Sequence, residues 1–161
     1  MRANQDGCMS ALVVPDSAAL KQHLNSEVAV TDYIEVSQER ITQFAALTED
    51  WQWIHTDVER ARRDSPYGGT VAHGFLTLSF LSRFLAAAVK VEGTRLLVSC
   101  GLNSVRFLTP VPAAGRVRAR VRLRECTEDP GYVQATWRLT IECEGNRAPS
   151  CVADWVVRYY A

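Results

Sequence analysis

The last third of the chain alternates apolar and polar residues with a period of two, and this pattern constrains the fold more than any other feature of the sequence. Successive side chains of a β-strand point to opposite faces of a sheet, so each alternating segment predicts a strand with one buried face. Short segments rich in Pro, Gly, Asp and Asn separate these strands and are typical of turns. The predicted strands are 96–107, 116–124, 133–143 and 151–159. Consecutive strands joined by such turns favour an antiparallel sheet.

A long apolar segment, 73–91, precedes these strands. Apolar residues occupy nearly every position in it, and a helix that is apolar on all faces is usually surrounded by other structure. The segment therefore predicts a buried helix of about five turns. Strands that follow one buried helix indicate an α+β fold, in which an antiparallel sheet curls around a long central helix.

The first part of the chain gives weaker signals. Residues 1–15 have no periodic pattern, and we expect them to be disordered. Helices are expected at 17–24, behind the N-cap Asp16, and at 37–48, where apolar residues recur at spacings of three and four. The alternation of residues 31–36 predicts a strand between these helices.

Length and charge limit the possible classes of protein. The chain has 161 residues, of which 47% are hydrophobic, so it can bury one sizeable core, and we predict a single domain, 1–161. Its 18 basic and 18 acidic side chains give a net charge of zero, which disfavours binding to nucleic acid or to an anionic membrane. The arginines that alternate along 116–124 fit the solvated outer face of a sheet better than a polyanion site.

The cysteines and the hydropathy pattern indicate the compartment. The five cysteines are widely spaced and include no CxxC pair, which is typical of thiols in a reducing environment rather than of a disulfide framework or a zinc site. No segment has the pattern of a signal peptide or of a transmembrane helix. We expect a cytoplasmic protein without a bound metal.

Side chains suited to acid–base catalysis occur together in the segment 50–55, where Asp50 and His55 flank a tryptophan-rich stretch. Burial raises the pKa of a carboxyl group and lowers that of an imidazole, while the attraction between the two charges opposes both shifts. Such a pair can exchange protons near neutral pH. The alternative from spacing alone is that Asp50 caps the next turn and His55 is a hydrogen-bonded core histidine.

A second polar motif lies where the predicted central helix begins. The free N–H groups of a first helical turn can bind a developing negative charge, and Gly74 has no side chain to obstruct the approach of a thioester. We interpret His73 as a structural residue that supports this turn. Ser82 is a candidate for bonding to a catalytic group from the helix, although a hydrogen bond to a carbonyl in the preceding turn would explain it equally well.

These two motifs resemble those of a known family. The segments FAALTEDWQWIH at 44–55 and GTVAHGFL at 69–76, with LNSVRF at 102–107, are similar to the hydratase-2 motif and late strand of the MaoC-like, (R)-specific enoyl-CoA hydratases. The form of the first motif resembles the nodulation-protein-N-like branch. The resemblance covers the chain from about residue 31 onward and implies the hot-dog fold.

The resemblance also implies roles for residues. Asp50 and His55 become the pair that activates water and relays its protons, Gly74 becomes the backbone oxyanion donor, and Ser82 helps to orient the pair. The implied reaction is reversible syn addition of water to a trans-2-enoyl thioester of CoA or a carrier protein, giving the (R)-3-hydroxyacyl thioester without a cofactor. The family also implies a homodimer, with the substrate tunnel near the interface.

Two positions depart from the family pattern. Glu49 stands where many members have glycine, and Gln52-Trp53 replaces a common Asn-Pro pair. Neither change removes a proton-transfer group, so they bear on acyl preference rather than on activity.

Two other functions are compatible with the same fold. A hot-dog thioesterase would use a carboxylate and water at the thioester carbonyl, and the spacing of Asp50 and His55 argues against it. A catalytically silent acyl-binding module would not need both proton-transfer groups.

Overall fold

The computed structural model describes residues 11–161, and its main feature is one six-stranded antiparallel sheet. The strands are β1 (Leu12–Val14), β2 (Glu27–Val30), β3 (Ile34–Val36), β4 (Val89–Val91), β5 (Leu96–Phe107), β6 (Gly115–Asp129), β7 (Tyr132–Cys143) and β8 (Cys151–Tyr160). The strand order of the sheet is β2-β6-β7-β8-β5, with β3 pairing with β6 next to β2. The predicted antiparallel sheet and α+β class are confirmed. The helices are a 3₁₀ helix (Ala18–His23), α1 (Gln38–Thr48), α2 (Trp53–Thr56), α3 (Val58–Asp64), α4 (Gly74–Ser79) and α5 (Leu81–Ala88).

The inner face of the sheet forms the core because apolar residues occupy every second position of β6, β7 and β8. Trp137 is its largest fully buried side chain, and its indole N–H donates a hydrogen bond of 3.0 Å to the hydroxyl of Tyr159. Phe84 of α5 and Ile41 of α1 are buried in the same core. Because the helices cover only the inner face of this antiparallel sheet, its outer face is exposed to solvent.

The arginine row of β6 lies on that outer face, as the alternation predicted. Four of these five arginines meet an acceptor on a neighbouring segment, and three of the four acceptors are carboxylates. The pairs are Arg116–Glu144 at 3.1 Å, Arg118–Glu142 at 3.0 Å, Arg120–Glu27 at 2.6 Å and Arg122 with the carbonyl of Asn25 at 2.7 Å. The row is thus part of the sheet structure and does not need a polyanion.

The predicted single helix over 73–91 is wrong in its continuity and in its end. The last turn of α4 tightens, so that the N–H of Phe80 bonds to the carbonyl of Thr77 at 3.3 Å, and α5 starts after Phe80 in a separate turn. The helix ends at Ala88 because 89–91 is extended and pairs with β1. The exposed side of α4 carries Phe75, which is 69% exposed.

The N-terminal prediction is also partly wrong. Residues 1–10 lie outside the described part of the chain, but 12–14, which were expected to be disordered, form β1 and pair in parallel with β4. The predicted strand 31–36 is shorter, because Thr31 to Tyr33 connect β2 to β3 without joining a strand. Among residues 11–161, no helix has the length and apolarity needed to cross a membrane.

We predict that Gly115→Ala destabilises the fold. A Cβ atom at Gly115 would lie 2.8 Å from the carbonyl oxygen of Pro112, and backbone must shift to relieve that contact. Such overpacking lowers the free energy of unfolding by about 1–3 kcal/mol. Urea denaturation followed by tryptophan fluorescence measures the change. Gly69→Ala is the matched control, because a Cβ atom there meets nothing within 4 Å. Equal stability of the two variants would contradict the prediction.

Candidate active site

The end of α1 sets the position of Asp50. Ser37 caps the start of this helix by accepting a hydrogen bond of 3.3 Å from the N–H of Arg40. At its end, Glu49 adopts a left-handed conformation with φ of 60°, which turns the chain out of the helix immediately before Asp50. Glycine adopts this conformation at lower cost than other residues, which gives a physical reason for the glycine that many family members have here.

His55 lies in the short helix α2 and is 7% exposed. Its Nδ1 is 2.6 Å from the carbonyl oxygen of Val71. A carbonyl only accepts hydrogen bonds, so Nδ1 carries the proton and Nε2 of the neutral ring keeps a free lone pair. The ring is therefore held in the form that can accept a proton at Nε2.

Gln38 joins three segments around the site, and its role was not foreseen from the sequence. Its side-chain N–H donates a hydrogen bond of 2.8 Å to the carbonyl of His55, and its side-chain oxygen accepts a hydrogen bond from the hydroxyl of Thr70. Gln38 thus links α1, α2 and the segment that leads to α4. Glutamine at the first turn of a helix carries no distinctive sequence signal, so only the tertiary structure identifies it.

His73, which we interpreted as a structural residue that supports the turn before α4, also lies against His55. The two imidazole rings are stacked, with centroids 3.8 Å apart and planes inclined by 28°. Nε2 of His73 is 3.0 Å from the backbone carbonyl oxygen of Asp50 and 4.0 Å from its Oδ2. The structure therefore brings Asp50, His55 and His73 into one cluster.

Burial is the main influence on the charge of His55. It lowers the pKa of the imidazole because the charged form loses hydration, and the neighbouring His73 lowers it further. The hydrogen bond to the carbonyl of Val71 and the carboxylate of Asp50 oppose this shift. The carboxylate of Asp50 is 54% exposed, so one group of the pair is solvated and the other is desolvated.

Gly74 is the first residue of α4, so its N–H has no carbonyl partner within that helix. A cavity of about 260 Å³ opens beside it and is lined by Ile54, Tyr67, Thr77 and Phe107, among other residues. The ring of Phe107 lies against the position of Gly74, where an added Cβ atom would meet it at 3.3 Å. Space for a ligand next to this N–H therefore depends on the absence of a side chain at residue 74.

Ser82 is not brought into the cluster. It is exposed on α5, and its hydroxyl donates a hydrogen bond of 3.2 Å to the carbonyl of Ser79 in the preceding turn. The break at Phe80 places Ser82 on a different helix from Gly74. Of the two roles that the sequence left open, the geometry favours the local hydrogen bond.

The cluster also has the donor types of a metal site. One donor atom each from Asp50, His55 and His73 lies within 4.8 Å of the others. However, stacked rings direct their nitrogen lone pairs along nearly parallel planes, so one ion could be bound by both only if the rings turned apart. One nitrogen of each ring also faces a backbone carbonyl. The arrangement fits proton transfer better than metal binding.

The fold and the cluster define the class of this protein. The family model for the MaoC like domain matches residues 18–143. The chain therefore belongs to the MaoC-like dehydratase family, as the two motifs predicted.

Three individual proteins are similar to this chain over most of its length. The chain is 43% identical over 145 residues to 3-hydroxyacyl-thioester dehydratase Z of Mycobacterium tuberculosis, covering 89% of this chain and 95% of the relative. It is 38% identical over 141 residues to nodulation protein N of Rhizobium leguminosarum bv. viciae, covering 86% and 88%. The solved (R)-hydratase from A. caviae, involved in PHA biosynthesis, is 25% identical with a TM-score of 0.68, covering 82% of this chain and 95% of that chain. The predicted hot-dog fold is confirmed.

We predict that stability depends on the charge of His55. Its pKa is lowered in the folded state from an ordinary value of 6.5, so below about pH 6.5 the unfolded chain binds more protons than the folded chain. The free energy of unfolding should therefore fall as the pH decreases through this range. His55→Gln removes this contribution, so the native protein should lose more stability than the variant between about pH 7.5 and about pH 5.5. Urea denaturation at both pH values measures this, and equal losses would contradict it.

Proposed function

We propose that this chain is an (R)-specific enoyl-thioester hydratase, which adds water reversibly to trans-2-enoyl-CoA and gives (R)-3-hydroxyacyl-CoA. The same site would dehydrate the product when the pathway requires it, and the acyl carrier would be CoA or a carrier protein. The observation that carries the proposal is that His55, with its proton held on Nδ1, lies in one cluster with the carboxylate of Asp50. The names of the relatives, 3-hydroxyacyl-thioester dehydratase and (R)-hydratase, support it.

The reaction needs one oxygen nucleophile and two proton transfers. In the proposed hydration step, Asp50 and His55 hold a water molecule and remove a proton from it as its oxygen bonds to C3 of the enoyl group. A proton then passes from the pair to C2, so that the atoms of one water molecule are added across the double bond. Because both transfers come from one side of the substrate, the addition is syn. A pair of positioned acid and base groups is suited to this chemistry.

Negative charge develops on the thioester oxygen during this step, and Gly74 is the proposed donor that binds it. Its N–H has no helical partner and borders the cavity of about 260 Å³. Helix α4 has only six residues, so the backbone N–H itself, rather than a large helix dipole, would supply the stabilisation. Ser82 has no role in this proposal.

The proposed chemistry uses water and protein side chains alone, so no cofactor is part of it. A cytoplasmic location also belongs to the proposal. The thiols of Cys143 and Cys151, which are buried in the core, are compatible with a reducing compartment.

The homodimer that the family implies is supported by the free edge of the sheet. Within residues 11–161, β5 pairs with β8 on one side and with no strand on the other. Its side chains Leu97, Leu102 and Phe107 are exposed, and the exposed Phe75 of α4 has its ring centroid 6.0 Å from that of Phe107. An apolar strand edge of this kind is suited to pairing with a second copy. The interface would then lie beside Gly74.

We predict that Asp50→Asn and His55→Gln each lower kcat/KM for hydration of crotonyl-CoA on the order of a hundredfold or more, because each removes a proton-transfer group. Loss of enone absorbance measures the rate, and chiral analysis of the product tests the formation of (R)-3-hydroxybutyryl-CoA. His23→Gln and Asp129→Asn are matched controls outside the cluster and should keep native rates.

Other outcomes would contradict this function. Release of free thiol from acyl-CoA, with no loss of enone absorbance, would indicate a thioesterase. Binding of enoyl-CoA with several acyl lengths but no turnover would indicate an acyl-binding module.

We also predict that the native protein sediments at about twice the chain mass of 17.9 kDa. Leu102→Lys should shift the protein toward the monomer, because it places a charge on the β5 edge. Leu47→Lys is the control, since Leu47 is 84% exposed on α1, away from β5. A native monomer would overturn the dimer proposal.

A further inference from the structure

His73 is the least explained residue of the cluster, since it is 3% exposed and polar. One face of its ring lies on His55, and the ring of Phe44 is 5.1 Å away at an inclination of 53°. Its Nε2 faces the backbone carbonyl of Asp50. Buried polar side chains normally have hydrogen-bond partners for their polar atoms, and His73 meets this for only one nitrogen.

The hydrogen bond to Asp50 determines the proton position on His73. The carbonyl oxygen can only accept, so Nε2 must carry the proton. Nδ1 is buried and has no hydrogen-bond partner among the described residues. In their neutral forms, His73 and His55 therefore hold opposite tautomers, with protons on Nε2 and Nδ1 respectively.

Asp50 depends on this contact for its position. Its other hydrogen bond in the described part of the chain is long, 3.4 Å from the N–H of Gln52 to Oδ1. The residue before it, Glu49, is in a left-handed conformation that side chains other than glycine disfavour. The bond of 3.0 Å from His73 holds the backbone of Asp50 in place against this strain.

We propose that His73 is a positioning residue, whose imidazole fixes the Asp50 backbone through Nε2–H and fixes the ring plane of His55 by stacking. The inference rests on the proposed hydratase function for its effect on rate, but its structural content is independent of that function. The charged and titratable groups that face His73 are His55 and the carboxylate of Asp50. Phe44, the other ring against it, is uncharged.

The first test needs no activity. The chain has three histidines, so ring ¹⁵N chemical shifts can be assigned with few variants. In their neutral forms, His73 should carry its proton on Nε2 and His55 on Nδ1. A neutral His73 with its proton on Nδ1 would overturn the proposal. The outcome of this test does not depend on whether the protein hydrates crotonyl-CoA.

Two variants separate the two contacts of His73. His73→Gln keeps an N–H near the position of Nε2 but removes the ring face, whereas His73→Phe keeps the ring face but removes the donor. With the donor lost, His73→Phe should lower kcat for crotonyl-CoA hydration on the order of a hundredfold with little change in KM, and His73→Gln should lose less. Circular dichroism and thermal unfolding check that each variant is folded.

The pH dependence distinguishes positioning from a general effect on folding. Because the neighbouring His73 lowers the pKa of His55, its removal should raise the pH at which His55 titrates in NMR spectra of both variants. The acid limb of the kcat/KM profile should move to higher pH by the same amount. A folded His73→Phe protein with native kcat and a native His55 titration would overturn the proposal. If only one variant folds, its His55 titration still decides the outcome.

Discussion

The hydrogen bond between Nδ1 of His55 and the carbonyl of Val71 is the interaction on which the site depends. It fixes the tautomer of the imidazole, and Val71 is itself held by the sheet side of the molecule. The N–H of Ala72 donates a hydrogen bond of 2.8 Å to the carbonyl of Val111, and the N–H of Ala113 donates one of 3.0 Å to the carbonyl of Thr70. The loop between β5 and β6 thus holds the segment 70–72, and through Val71 the proposed base His55, at a fixed position relative to the sheet. This link fixes the position of His55, a residue of a short helix, relative to the strands of the six-stranded sheet.

Much of the sheet was predictable because period-two alternation is a local signal. The segment 96–107 matched its strand at both ends, and the other three predicted strands were extended by only a few residues. The helix over 73–91 was misread because apolar residues show that a segment is buried but not where it must turn. The end at Ala88 depends on a tertiary contact, the pairing of β4 with residues 12–14. Those N-terminal residues gave no pattern of their own, since a three-residue strand is too short to show one.

The sequence identified the proposed acid and base residues but not their relation to each other. Asp50 and His55 stood out because of their residue types and spacing, and the structure brings both into one cluster. The contacts of Gln38 and His73 could not be predicted, since their partners lie 17 or more positions away: Gln38 bonds to His55 and Thr70, and His73 contacts His55 and Asp50. Ser82 illustrates the opposite error. A polar residue in an apolar segment suggested a catalytic partner or a local hydrogen bond, and its hydroxyl bonds to the carbonyl of Ser79 at the end of α4.

The left-handed Glu49 links the end of α1 to the position of Asp50. A non-glycine residue in this conformation costs about 1–2 kcal/mol relative to the right-handed helix. The hydrogen bond from His73 to the carbonyl of the next residue, Asp50, opposes a return of Glu49 to the helical conformation. The end of α1 is therefore set by a contact outside the helix as well as by its own sequence, and amide hydrogen exchange in its last turn reports on that contact.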